Sequence, residues 1–118
     1  MPRYMLFMQP ADFPEPGEPP RADVVAAMMK YADELSQAGV LLALDGLTHP
    51  EEGARVRFAG GRPSVTDGPF TEAKELVGGY WIIEASSQEE AVQWATRCPA
   101  LDGDVIEVRP IQPYPDDA

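Results

Sequence analysis

Apolar residues alternate or follow one another at five places along the chain, and this pattern predicts five strands. The strands cover residues 4–9, 40–44, 54–58, 79–85 and 104–109. Residues 4–9 present apolar side chains on both faces, and residues 40–44 form an uninterrupted apolar run. Such strands suit a sheet that is covered on both sides. In residues 54–58, Arg55 and Arg57 alternate with apolar residues, which predicts one wet or cleft-lining face.

Two segments place apolar residues three and four positions apart, which predicts helices. The first covers residues 23–38 and is followed by Gly39, a residue typical of the position just after a helix. Its apolar stripe consists of Val24, Met28, Tyr31, Leu35 and Ala38. The second opens with Ser87 and Glu90, which have the spacing of a capping box, and it ends before Pro99. Its stripe consists of Ala91, Trp94, Ala95 and Cys98.

Three stretches lack this periodicity. Residues 9–20 contain five prolines with acidic residues between them, which predicts an extended polar loop. This loop is either a connector or a cover over a binding cleft. Residues 60–63 predict a turn before a short extended segment at residues 64–66, and the acidic tail over residues 111–118 is expected to be irregular.

The elements follow the order strand, helix, strand, strand, helix, strand, with a hairpin elaborated between the third and fourth strands. This is the split βαβ order, so we predict one α+β domain over residues 1–118, with a ferredoxin-like antiparallel sheet and both helices on one face. Two helices leave the other face of a four-stranded sheet uncovered, although several strands are apolar on both faces. A second copy of the chain is the economical cover, so we predict a homodimer whose sheets face each other.

Composition narrows the classes of function. The net charge of −11 opposes binding to nucleic acid, whose phosphates require a basic surface. No apolar run approaches the roughly 18 residues of a membrane span, and the N-terminus lacks the pattern of a signal peptide, so we expect a cytoplasmic protein without a membrane partner. The single Cys98 excludes an internal disulfide, and the lone His49 gives no ligand set for a metal. We expect no cofactor.

The segment Asp67-Gly68-Pro69-Phe70 is the strongest candidate for chemistry. Gly can adopt positive φ and Pro fixes φ, so the pair presents Asp67 from a rigid turn. The carboxylate either caps backbone N–H groups of that turn or projects into a cleft as a general base. His49 either pairs with Asp67 as an acid/base dyad or is an exposed loop residue.

The chain resembles the YCII-related proteins that carry the DGPF signature, and the resemblance spans nearly its whole length. Besides the signature, it rests on Tyr4-Met5-Leu6-Phe7, Glu34-Leu35, Ala38-Gly39-Val40-Leu41, Asp45-Gly46-Leu47, Arg55-Val56-Arg57, the run from Thr71 to Tyr80, the run from Glu90 to Ala95, and Glu107-Val108-Arg109-Pro110. The resemblance implies a ferredoxin-like fold and a dimeric α+β barrel, in agreement with the periodicity.

For function, the resemblance implies an Asp that works with a His in a cleft, and the broader group includes dehydrochlorinases of chlorinated aromatic intermediates. Asp67 matches the acidic residue of the family. His49 departs from the pattern, because it lies in a Thr48-His49-Pro50-Glu51 loop rather than in a strand or helix. Some members of the family are encoded beside extracytoplasmic-function sigma factors, which implies a regulatory setting for part of the group.

Four further residues are candidates for substrate binding. Lys74 lies in the signature segment and is one of only two lysines, so it could bind an anionic group. Arg57, Tyr80 and Arg109 could line the open face of the sheet as a carboxylate-binding pocket. Alternatively, the arginines form cross-strand ion pairs or dimer contacts.

We therefore expect a cofactor-independent enzyme of the isomerase, lyase or dehydrohalogenase type that acts on a small organic acid. Asp67 would move a proton, alone or with His49, and Lys74 or an arginine would neutralise the acid. The alternative is a non-catalytic ligand-binding or regulatory accessory protein, with a sigma factor as its partner. A third hypothesis is a structural dimer in which the signature is only a folding turn.

Overall fold

The computed structural model describes residues 1–67 and 76–114. In chain order its elements are β1 (Arg3–Gln9), α1 (Ala22–Gln37), β2 (Leu41–Gly46), a 3-10 helix (Pro50–Glu52), β3 (Ala54–Ala59), β4 (Arg62–Asp67), β5 (Gly79–Glu84), α2 (Gln88–Thr96) and β6 (Val105–Pro110). Four strands form an antiparallel sheet in the order β2-β5-β1-β6. The predicted ferredoxin-like α+β arrangement is confirmed. Neither helix in this part of the chain has the length and apolar content needed to cross a bilayer.

The core lies between the sheet and the two helices, because alternate side chains of each strand point to the same face. The buried set consists of Tyr4, Leu6, Met8, Tyr31, Leu35, Trp81, Ile83, Ala85 and Ala91. Tyr31 of α1 connects three elements. Its ring packs edge-to-face on Trp81 of β5, with 5.6 Å between centroids, and its hydroxyl donates to the backbone oxygen of Trp94 in α2 at 2.7 Å. This contact fixes both helices on one face of the sheet.

Cys98 follows α2 and packs beside this core, as the apolar stripe predicts. Its Sγ lies 3.9 Å from Sδ of Met28 in α1. Burial, with a smaller contribution from the charge of Asp104, raises the pKa of the Cys98 thiol to about 12. The thiol is therefore neutral near pH 7 and is a poor nucleophile.

The helix ends follow the predicted signals, with differences in detail. Gly39 has a φ of 76° just after α1, as expected of a residue that ends a helix, whereas Ala38 is exposed rather than part of the buried stripe. At α2, Oγ of Ser87 accepts the N–H of Glu90 at 3.1 Å. The Glu90 carboxylate, however, accepts from the N–H of Ser86 at 3.1 Å and from the Ser86 hydroxyl. The second half of the predicted capping box is thus displaced by one residue.

Strand β2 differs from the expectation of a strand covered on both faces. It lies at the edge of the sheet, and its register against β5 shifts between Leu41 and Ala43, so that Leu42 forms a bulge. Leu42 and Leu44 are exposed in the single chain. The uninterrupted apolar run over residues 40–44 predicts a strand, but it does not distinguish an edge strand from a central strand of the sheet.

The predicted hairpin forms a separate two-stranded sheet between β2 and β5, which we call the arm (residues 54–67). The predicted strand over residues 54–58 therefore belongs to the arm and not to the four-stranded sheet. Only Gly60 and Gly61, with φ of 60° and 77°, form the turn. Arg62 and Pro63, expected in the turn, pair with β3 instead. Two glycines with positive φ match the tight turn that favours the twist of a hairpin, so no further residues are needed.

Candidate functional site

Several loops meet at one end of the sheet, where β1 and β2 end and β5 and β6 begin. The N–H of Gly78 donates to the oxygen of Met8 at 2.7 Å, and the N–H of Leu47 donates to the oxygen of Gly78 at 2.9 Å. These bonds extend the ladder beyond β2 and β5 and hold both sides of the connection to the arm. We call this region the loop end. The proline-rich loop that follows β1 starts here as well.

A cavity of about 540 Å³ lies at the loop end, on the helix side of the sheet. Its walls are the proline-rich loop, Val24 and Met28 of α1, Met8 of β1, and Leu47. The volume is in the range of small-molecule sites, which are also mainly apolar. The proline-rich loop thus forms one wall of a cavity instead of running free across the surface.

Gly78 allows the loop to approach this closely. A Cβ atom at position 78 would lie 2.9 Å from the ring of Pro10 and 3.3 Å from the ring of Phe13. Contacts under 3.0 Å are not tolerated without a shift, so a larger residue would push the loop outward. The glycine therefore has a packing role in the wall of the cavity.

Asp104, just before β6, ties the proline-rich loop to the neighbouring turn. One carboxylate oxygen accepts the N–H of Ala11 at 2.9 Å, and the other accepts the N–H of Leu101 at 2.9 Å. Arg21 also borders the cavity, and its guanidinium binds the carboxylate of Asp23 at 2.7 Å. Both charged groups are thus engaged within the chain. Asp12 and Glu18 add two further carboxylates to the border, and one oxygen of Glu18 accepts the N–H of Glu15 at 3.0 Å.

His49 does not line the cavity itself but contacts a residue that does. Its ring contacts Phe13, a cavity residue, edge-to-face with 5.7 Å between centroids. Its Nδ1 accepts the N–H of Glu51 at 3.0 Å and so caps the 3-10 helix. A neutral imidazole that accepts at Nδ1 carries its proton on Nε2. In this geometry His49 offers a donor at Nε2 rather than a lone pair.

Asp67 is the last residue of β4, and its backbone pairs with that of Ala54, the first residue of β3. The base of the arm thus brings the backbone of position 67 opposite the segment that follows the 3-10 helix and His49. Lys74 lies outside the described residues, as do Gly68, Pro69 and Phe70 of the signature.

The remaining candidates lie on the sheet face opposite the helices, or on the arm. We call the first surface the helix-free face. Its strand partners form two rows, Asp45–Tyr80–Phe7–Glu107 and Ala43–Ile82–Met5–Arg109.

Within the first row, the hydroxyl of Tyr80 donates to Asp45 at 2.9 Å, and this hydrogen bond raises the pKa of Tyr80. Arg109 lies in the second row, and its Nε is 3.8 Å from a carboxylate oxygen of Glu107. Arg57 lies on the arm, apart from both. In the single chain the structure therefore places Tyr80 and Arg109 on one face but does not add Arg57 to them.

Four residues of this region were not among the sequence-derived candidates. Asp104 was expected only at the start of the last strand, Phe13 belonged to an aperiodic loop, and the Asp45-Gly46 pair resembles a turn signal although both residues lie in β2. For Asp45 the usable signal was its place at the end of an apolar strand. For Phe13 the signal was a lone aromatic among prolines, which marks a point where a polar loop touches the body of the protein.

The fold and the site define a small ferredoxin-like α+β domain with a cavity at the loop end of its sheet. In a comparison with family models, the chain matches the YCII-related domain over residues 3–115, and it belongs to that family. It is also similar to an uncharacterized protein of Rhizobium meliloti (strain 1021), with 32% identity over 94 residues that cover 78% of this chain and 73% of the relative.

Proposed function

We propose that this YCII-related protein is a small-molecule enzyme that transfers a proton on a small organic acid, in an isomerase, lyase or dehydrohalogenase reaction. One observation carries the proposal: a mainly apolar cavity of about 540 Å³ lies at the loop end, and the ring of His49 contacts Phe13 in its wall. A cavity that adjoins titratable side chains is the default location of an active site.

The tautomer of His49 separates the roles of the two predicted catalytic residues. Because Nδ1 accepts from Glu51, Nε2–H is a hydrogen-bond donor, suited to a substrate oxygen on which negative charge develops. The base must then be a carboxylate, and we assign that role to Asp67. In this scheme Asp67 takes a proton from a carbon next to the acid or carbonyl group, and His49 stabilises the resulting anion without itself gaining a proton.

The charges around the cavity define how an acid would bind. Arg21 is paired with Asp23, and Asp12 and Glu18 repel anions, so the hydrocarbon part of the substrate would occupy the cavity. We assign the neutralisation of its carboxylate to Lys74. Tyr80 and Arg109 are then residues of a second surface, the helix-free face, which we propose to be covered in a homodimer, whereas Arg57 lies on the arm.

The single histidine allows a direct test of the site. The imidazole C–H signals of His49 are unique in the proton NMR spectrum, because the chain has no other histidine. We expect a panel of small aliphatic and aromatic carboxylic acids to include compounds that shift these signals in a saturable way and raise the melting temperature. Gly78→Val, which pushes Pro10 and Phe13 outward, should weaken the response, whereas the exposed Gln93→Ala should not change it.

The same panel separates the catalytic role from binding alone. For an acid that is turned over, Asp67→Asn should reduce the rate by about 10²-fold or more, the usual contribution of a proton-transfer group. Turnover that is unchanged in Asp67→Asn would exclude this residue as the base. A panel in which no acid moves the His49 signals or the melting temperature would contradict the site itself.

One observation favours a second candidate, a non-catalytic ligand-binding or regulatory accessory protein. Asp104, a carboxylate in the cavity wall, is committed to two backbone N–H groups and is not available as a base. This candidate, for which a sigma factor is the proposed partner, predicts saturable binding without product and no effect of Asp67→Asn on that binding.

A further inference from the structure

The arm presents an apolar surface that nothing in the described chain covers. Val56 and Val65 lie directly opposite each other, and Phe58 lies opposite Pro63, so these residues share one face of the arm. The exposed fractions are 50% for Val56, 67% for Val65 and 75% for Phe58. A contiguous exposed patch of large apolar residues marks an interaction site.

The arm also lacks the support that a two-stranded sheet requires. An isolated hairpin is marginally stable at best in water, and a third strand or a packed surface is usually needed. The strands of the arm pair only with each other among the described residues, and all positions from 54 to 66 are exposed. None of the described residues outside the arm therefore completes its packing, so a further surface is required.

Charge indicates the nature of that surface. The arm contains Arg55, Arg57 and Arg62, three of the seven arginines, on a chain with a net charge of −11. Arg57 and Arg62 form no ion pair with any residue in the ranges 1–67 and 76–114. A basic arm on an acidic molecule is complementary to an acidic surface, and other copies of this chain supply one.

We propose that the arm of one copy lies across the helix-free face of a second copy. The middle of that face is apolar, with Phe7, Met5 and Ile82 on the two central strands. Its first row ends in Asp45 and in Glu107, whose carboxylate lies 3.8 Å from Arg109 of the second row. The apolar face of the arm would cover the middle, and the acidic ends would face arginines at its margins.

The width of the arm makes this arrangement geometrically reasonable. Two paired strands lie only about 5 Å apart, and an arginine side chain is long enough to extend past such a ribbon while its stem covers apolar surface. Arg57 can therefore reach carboxylates beside the ribbon although it lies on the polar face of the arm.

This arrangement would also bring together residues that the single chain keeps apart. Arg57 of one copy would join Tyr80 and Arg109 of the other, so the second surface would be shared between subunits. The inference builds on the proposed homodimer but is separable from it, because sheets can face each other without any contribution from the arm.

The first experiment compares two substitutions that introduce the same charge on opposite faces of the arm. Phe58→Asp places a carboxylate on the apolar face, and Thr66→Asp places one on the polar face, opposite Arg55. In sedimentation velocity over a range of concentrations, we expect a dimer for the unmodified chain. Phe58→Asp should raise its dissociation constant by about 100-fold or more, the scale of a central interface aromatic, and Thr66→Asp should change it by less than about tenfold. A monomeric unmodified chain, or equal effects of both variants, would overturn the inference.

The second experiment locates the arm and does not depend on the loss of assembly. A photoreactive benzoylphenylalanine at position 58 is cross-linked in a mixture of ¹⁴N- and ¹⁵N-labelled chains. We expect cross-links between differently labelled chains to peptides of β1, β5 or β6. Cross-links only within one chain, or to the helices of the partner, would overturn the inference, even if the protein remains a dimer and binds acids.

Discussion

At the scale of single residues, Tyr31 shows how one side chain determines the position of a helix. It is buried, and its hydroxyl reaches the backbone oxygen of Trp94 in the other helix. Burial raises the pKa of Tyr31 well above its ordinary value of 10.0, so the hydroxyl remains a donor over the whole physiological range. The hydrogen bond is thus a permanent link between α1 and α2.

We predict that Tyr31→Phe lowers the free energy of unfolding by about 1 kcal/mol, the usual net value of one hydrogen bond. The loss should not be larger, because the Trp94 oxygen still accepts the N–H of Arg97 at 3.1 Å. Urea denaturation measures the change. Thr96→Val is the control, since the hydrogen bond from the Thr96 hydroxyl to the backbone oxygen of Gln93 is exposed on α2 and should contribute less. An equal loss in both variants would show that burial does not determine the contribution.

At the scale of elements, the start of α2 depends on a charged cap. The hydroxyl and N–H of Ser86 donate to the Glu90 carboxylate, and these bonds lower the pKa of Glu90 below its ordinary value of 4.5. The folded state therefore binds the proton less readily than the unfolded chain does. Above about pH 4.5 the ionised carboxylate stabilises the fold, and this contribution disappears as the pH falls through the lowered pKa.

We predict that the difference in melting temperature between the unmodified chain and Glu90→Gln is largest near neutral pH. It should shrink as the pH falls below 4.5 and through the lowered pKa of Glu90, because the carboxyl group then gains a proton and becomes uncharged like the Gln side chain. Thermal unfolding followed by circular dichroism from pH 7 to pH 3 tests this. Glu89→Gln, in the same turn of α2, should show the smaller dependence. A pH-independent difference for Glu90→Gln would mean that the charge of Glu90 does not contribute to the stability of the helix start.

The elements were largely predictable from the sequence because local patterns determine them. The spacing from Val24 to Leu35 predicts α1, Gly39 marks its end, and Ser87 opens α2. The strand to which each strand pairs was harder to predict from the sequence. The alternation over residues 54–58 is the same in a central strand and in a projecting arm, so periodicity could not separate the two. The cavity was not predictable as a volume, since it depends on how Asp104 and Gly78 position an aperiodic loop.

At the scale of the whole molecule, the loop end is held together by few contacts. Asp104 binds Ala11 on one side and Leu101 on the other, and residues 9–20 have no regular secondary structure beyond the end of β1. This wall of the cavity should therefore open locally at a lower free-energy cost than the core does, as is common for binding loops.

We predict that Asp104→Ala increases the amide hydrogen-exchange rates of Ala11 and Leu101 by roughly tenfold, the scale of one lost hydrogen bond. Amides in the core strand β1 should exchange at nearly unchanged rates. NMR-detected exchange resolves both groups. Asp102→Ala, an exposed carboxylate of the same turn, is the control and should leave Ala11 protected. Faster exchange throughout the sheet would show that Asp104 supports the entire fold rather than the loop.

The bulge at Leu42 has a consequence for how copies of this protein can associate. A regular strand at the border of a sheet is a template to which further chains can add without limit, and an irregular one interrupts that template. Because the interruption lies on an outer strand, growth into open-ended fibrils is disfavoured there. Addition of further chains to β2 should therefore be rare even in concentrated solutions, and restoring a regular strand there would be the change that turns this border toward polymerisation.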